Sequence, residues 1–271
     1  MTISSSTNTS LELHYECKGT GPDLLLVHGW ASSTRMWDRF ASVLQNDFRC
    51  WSVDLAGFGA SPMPAAVRPD LHLHMNSLIE FCEQHQIQPR AVIGHSMGGM
   101  LALMLAQARP QLVEQLVLVC PVVTGRYGLK ANTFFSSSVG RFMAARTKSV
   151  WTLMQSEALA PLFVVPQYVD KAIQKRYLQD FQRATWEASI TALESIAQVN
   201  LEPVLPQISH PTLVIVGKKD YTVPPGEGHI AAAKMPNAEL IKFNKSHHQP
   251  LDEEPERFIQ TVRDFLSETM L

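Results

Sequence analysis

The chain has 271 residues, 45% hydrophobic and 18% charged, with a formal net charge of −2 and a pI of about 6.5. That balance belongs to a globular chain with one sizeable core, excludes the disordered and fibrous classes, and supplies no overall electrostatic attraction for nucleic acid. The first ten residues, MTISSSTNTS, lack the basic start and apolar stretch of a secretory signal, and no run reaches the ~18 apolar residues of a membrane span. Cys17, Cys50, Cys82 and Cys120 are scattered, without a C-x-x-C pair, and are expected to be buried thiols in a reducing cytoplasm.

In chain order, apolar runs bounded by turn residues occupy 11–19, 23–29, 48–57, 91–96, 115–123, 212–217 and 238–243. Helical patterns separate them at 34–45, 71–85 and after Ser96. Strands alternating with helices predict an α/β architecture with a mostly parallel central sheet flanked by helices, and near-continuous apolar strands predict that both faces are covered. The first run alternates more and is expected at an antiparallel edge.

Between 124 and 201 the text turns helical, so we expect a core formed by 1–123 and 202–271 with a helical cap at 124–201. Residues 121–200 hold nine Lys/Arg and five Asp/Glu, a formal +4 against −6 elsewhere, which makes the inserted region basic relative to its base. Phe134, Phe135, Phe142, Met143, Trp151, Met154, Phe163, Phe181 and Trp186 also concentrate there. Singly, such residues pack a cap onto a sheet; as a set they predict a closed apolar cleft suited to short or medium acyl chains.

The stretch AVIGHSMGG places Ser96 between Gly94 and Gly98 where a strand gives way to a helix. In G-x-S-x-G the glycines permit a sharp turn that exposes the serine hydroxyl, although a tight connection with a serine cap has the same five letters. A nucleophilic serine needs a general base and a group to orient it, both at the carboxyl edge of the sheet. After TLVIVG comes Asp220, which ordinary turn chemistry would also explain. After AELIKF come His247 and His248, of which one suffices. His28 is expected to shape its turn, while His72, His74 and His85 fall in a helical pattern as surface or packing residues. An oxyanion hole would combine the N–H of Met97 with that of Trp30 in the loop after the second strand. Nothing in the histidine and cysteine spacing calls for a metal or cofactor.

HGW at 28–30, DLAGFGAS at 54–61, GHSMGG at 94–99, GKKDYTVP at 217–224 and HHQPLDEEPERF at 247–258 resemble, in order and spacing, the α/β-hydrolase superfamily. The resemblance implies that fold, with a helical cap inserted after the sixth strand, and a cofactor-free Ser96, Asp220, His248 triad. Its H-x-P pattern selects His248, and His247 then stands where a small residue is usual. The serine excludes members that use an aspartate nucleophile. Within the superfamily the chain is similar to the pimeloyl-ACP methyl ester esterases. This similarity implies a serine carboxylesterase acting on a small-molecule ester, with an acyl-carrier protein as candidate partner at the basic cap. Cofactor-free perhydrolases or haloperoxidases, lyases, C–C bond hydrolases and a catalytically idle binding module are the alternatives.

Overall fold

The computed structural model describes residues 11–63, 67–128, 148–160 and 168–268. Its sheet contains β1 (Tyr15–Lys18), β2 (Asp23–Val27), β3 (Arg49–Val53), β4 (Ala91–His95), β5 (Gln115–Val119), β6 (Thr212–Gly217) and β7 (Ala238–Phe243). Their spatial order is β1-β3-β2-β4-β5-β6-β7, with β1 antiparallel to β3 and every other pairing parallel. The predicted antiparallel edge is therefore β1.

Side-chain alternation divides the core into two layers. Leu25 and Val27 of β2, Leu116 and Leu118 of β5, and Val214 and Val216 of β6 pack on one face with α2 (Leu71–Gln84) and α3 (Met97–Ala108). Leu24, Leu26, Val117, Val119, Leu213 and Ile215 pack on the other with α1 (Asp38–Leu44) and the C-terminal helix Pro255–Glu268. With both faces covered, these strands lose the polar alternation of a half-exposed sheet. Each fully buried Leu or Val contributes about 1.5–3 kcal/mol relative to exposure.

The chain runs outward from β2 to β3, then returns to lay β4 on the other side of β2. Connections that diverge between neighbouring parallel strands leave a crevice at their carboxyl ends. The loop at 28–33 and the turn carrying Ser96 flank this crevice.

Among the described residues the helical excursion follows the fifth strand of the sheet, which corrects the expectation of six. It includes α4 (Lys148–Met154), α5 (Lys171–Arg183) and α6 (Trp186–Ile196). Its stem is closed, because the Leu201 N–H donates to the Val123 carbonyl at 2.9 Å. Buried Glu227, at the start of α7 (Gly226–Lys234), accepts the N–H groups of Val123 at 2.8 Å and Thr124 at 2.6 Å. Further contacts seat the excursion on the core. The Thr185 N–H donates to the Gly57 carbonyl at 2.9 Å, Arg35 meets the buried Asp180 at 3.0 Å, and Arg68 meets Glu194 at 2.7 Å. Burial pushes the Asp180 carboxyl upward, against the opposing pull of Arg35. Trp151 and Phe181 are buried, as a packed excursion requires. The expectations for Phe134, Phe135, Phe142, Met143 and Phe163, and for the side chain of Met154, lie outside the described residues.

Of the four cysteines, Cys50, Cys82 and Cys120 are buried, whereas Cys17 is exposed. The expectation of four buried thiols fails at Cys17 because β1 is an edge strand with only partial cover.

Candidate active site

Ser96 follows β4 and stands at the cap position of α3 with φ 54° and ψ −112°, a left-handed conformation that costs a non-glycine residue on the order of 1–3 kcal/mol. The flanking glycines make the turn feasible. A Cβ at Gly94 would lie 2.2 Å from the Gly98 carbonyl oxygen, and one at Gly98 would lie 2.3 Å from that of Val27. The turn thus holds Ser96 at the mouth of a helix pressed against β2, and a plain serine cap does not account for it, since its side chain caps nothing.

The predicted acid and base meet. The His248 Nδ1–H donates to Asp220 Oδ2 at 2.6 Å, and both side chains are buried. Asp220 Oδ1 accepts the N–H groups of Thr222 at 2.8 Å and Val223 at 2.9 Å. Burial raises the Asp220 pKa, but the His248 imidazole and these two donors outweigh it and hold the carboxyl below its ordinary range. With Nδ1 protonated toward the carboxylate, neutral His248 keeps Nε2 as its bare acceptor.

Ser96 and His248 both line a cavity of ≈ 330 Å³. Trp30, Val122 and Val223 continue its wall from the core, and Tyr127, Phe181 and Leu193 close it from the helical excursion. Met97 is the first residue of α3, where a backbone N–H has no intrahelical acceptor. Trp30 follows Gly29, whose absent Cβ would approach His95 Nδ1 to 2.7 Å. The Trp30 indole N–H donates to the Ser189 carbonyl of α6 at 2.9 Å, and its ring meets Trp151 and Phe181 at centroid distances of 6.0 and 6.1 Å.

His247 takes a different place. Its Nδ1 contacts Glu253 at 2.9 Å, and its ring stacks on Tyr168 with centroids 3.9 Å apart and planes at 16°. It is His248 that forms part of the cavity wall. His28 behaves as a structural residue: its Nδ1–H donates to the Gly29 carbonyl at 2.7 Å, its Nε2 accepts the Leu55 N–H at 2.9 Å, and burial lowers its pKa. His74 is fully buried and pushed down to about 4 by burial, as a packing residue would be.

Three supporting residues escaped the reading of the text. His95 donates its Nε2–H to the His248 carbonyl at 2.8 Å, and burial pushes its pKa down to about 3, so it is neutral near pH 7. Glu253 accepts the N–H groups of His247 and Gln249, both at 2.8 Å, and so brackets His248. Its position in HHQPLDEEPERF was the available signal for that clamp. Cys120, just beyond β5, has φ 45° and a buried thiol whose sulfur lies within 4.8 Å of an Asp220 carboxylate oxygen. No local pattern announced it.

A family profile described as alpha/beta hydrolase fold matches residues 22–255, and the chain belongs to that family. The pimeloyl-[acyl-carrier protein] methyl ester esterase of Nitrosomonas europaea is 30% identical over 255 residues, covering 91% of this chain and 96% of its own. That of Aliivibrio fischeri strain MJ11 is 26% identical over 271 residues, covering 94% and 98%. Among solved structures, a thermophilic esterase from Thermogutta terrifontis superposes with a TM-score of 0.78 at 26% identity, covering 97% of this chain and 96% of its own.

Proposed function

We propose that the protein is a serine carboxylic-ester hydrolase working through Ser96, His248 and Asp220 and an acyl-enzyme, with an acyl-carrier-protein methyl ester as its substrate class. The observation that carries the reading is the Asp220–His248 hydrogen bond set behind a cavity that Ser96 also lines. The names of the two curated relatives support the ester and the carrier protein.

In this mechanism His248 Nε2 takes the Ser96 proton as the hydroxyl attacks the ester carbonyl. Asp220 fixes the imidazole tautomer and stabilises its charged form. The N–H groups of Met97 and Trp30 receive the oxyanion, a donor role whose removal typically costs about 2.7–4 kcal/mol. His248 returns the proton to the leaving methanol, and water then repeats the sequence on the acyl-enzyme. Residues 124–201 act as the cap; among the described residues Tyr127, Phe181 and Leu193 give it an apolar side toward the cavity that takes the acyl chain, and its basic composition attracts an acidic carrier protein. No described helix is long and apolar enough to cross a membrane, and free thiols such as Cys17 suit a reducing cytoplasm.

The test combines a fluorophosphonate probe with an ester panel. We expect one adduct, mapped to Ser96 and absent from Ser96→Ala, and turnover of a carrier-bound methyl ester above that of the free methyl ester. No adduct on the folded chain refutes the serine mechanism, and equal turnover of free and carrier-bound esters refutes the carrier-protein assignment.

A further inference from the structure

We propose that Cys120, Asp220 and His248 form an inhibitory site for a borderline-soft divalent cation such as Zn²⁺, placed behind the imidazole that serves as base. Their sulfur, carboxylate oxygen and ring nitrogen all lie within 4.8 Å of one another, and among the described residues they are the one group of three or more His, Cys, Asp or Glu side chains so arranged. Thiolate, carboxylate and imidazole are the donors that Zn²⁺ takes, and at ordinary bond lengths a tetrahedral centre holds such atoms about 3.3–3.6 Å apart. Side-chain shifts of about an ångström reach that spacing from the present one.

The surroundings favour the assignment. The Cys120 N–H donates to the Ile215 carbonyl of β6 at 2.8 Å, and Sγ lies 4.0 Å from the His247 carbonyl oxygen, so the thiol sits at the end of β5 against the loop that carries His248. His248, one of the three, is also part of the cavity wall, so the group adjoins the cavity through that side chain. Burial keeps the thiol protonated and inert toward ordinary thiol reagents. Coordination is the event that removes its proton.

The balance is simple. Zn²⁺ binds the Asp220 carboxylate, displaces one proton from the Cys120 thiol to solvent, and takes His248 Nδ1 in place of the hydrogen that faces Asp220. The imidazole proton moves from Nδ1 to Nε2 and is not lost. An Nε2 that already carries hydrogen cannot accept the Ser96 proton, so turnover stops until a chelator withdraws the ion. The loss of turnover rests on the reading of His248 as base; the coordination does not.

The experiment uses the full chain with Cys17→Ser, which removes the exposed thiol. Cd²⁺ is the spectroscopic probe, read by its ultraviolet thiolate charge-transfer band, and Zn²⁺ binding is followed by calorimetry in buffers of different ionisation enthalpy. Inhibition of p-nitrophenyl butyrate hydrolysis, with reversal by EDTA, is measured relative to each variant's own metal-free rate. We expect one Cd²⁺ per chain with the thiolate band, one proton released per Zn²⁺, and reversible inhibition. Adding Cys120→Ser or Cys120→Ala should abolish the band and raise the half-inhibiting Zn²⁺ concentration at least about tenfold. An unchanged band or unchanged Zn²⁺ sensitivity in both variants overturns the proposal, as does absence of binding in the Cys17→Ser chain. Should the chain hydrolyse no ester, the Cd²⁺ band and the calorimetry still decide the metal site, separating its failure from that of the esterase reading.

Discussion

His95 and His248 are joined by a hydrogen bond from the Nε2–H of one to the backbone carbonyl of the other, 2.8 Å long and spanning 153 positions of sequence. Their rings lie 4.7 Å apart between centroids, so the residue before Ser96 supports the loop that carries the proposed base.

This contact predicts that His95→Ala lowers kcat by about 10²-fold, the cost of a base displaced by about 1 Å, with a smaller change in KM. His95→Gln, whose amide can still donate, should recover part of the loss. Steady-state kinetics and single-turnover acylation provide the measurement. An Ala variant with wild-type kcat would count against the support role.

Asp220→Asn should leave the fold intact and reduce kcat by about 10⁴-fold, because the amide no longer favours the Nδ1–H tautomer. The same substitution carries a pH signature. The folded-state pKa of Asp220 is lowered, so its contribution to stability is fully present above the ordinary carboxylate value of about 3.9 and is lost as pH falls through the folded value. Urea unfolding of wild type and variant should differ by a constant amount near neutrality. The gap should close in the acid range below pH ~4.

Trp30→Phe keeps a ring against Trp151 and Phe181 but deletes the donor to the Ser189 carbonyl. Because the backbone N–H proposed for the oxyanion remains, kcat should stay near wild type. Loss of a hydrogen bond worth about 0.5–1.5 kcal/mol should appear in KM as roughly a two- to tenfold rise. A selective fall in kcat would instead assign the indole a part in the chemistry.

Much of the architecture was legible because its determinants are local. Runs such as Ala91–His95 and Thr212–Gly217 are mostly apolar and buried at every step, as a doubly covered strand is, and the turn residues beyond each announced where chemistry could sit. The pairing of Asp220 with His248 followed from both falling after neighbouring strands at one sheet edge. His95 and Cys120 were illegible for the converse reason. Their roles come from contacts with distant backbone or side-chain atoms that neither spacing nor residue type encodes. Cys17 was misjudged because exposure of an edge strand depends on what covers it, and that is decided by the whole fold.

The pinch between Val123 and Leu201, locked by Glu227, carries an evolutionary consequence. A long excursion whose two ends already touch has its closure entropy met by the sheet beneath it, so its interior can be shortened, lengthened or exchanged with little strain passed to the strands. The excursion is in effect a graftable cassette. Transplanting the corresponding segment from a relative between those two residues should retune which molecules are admitted while the machinery below keeps its geometry.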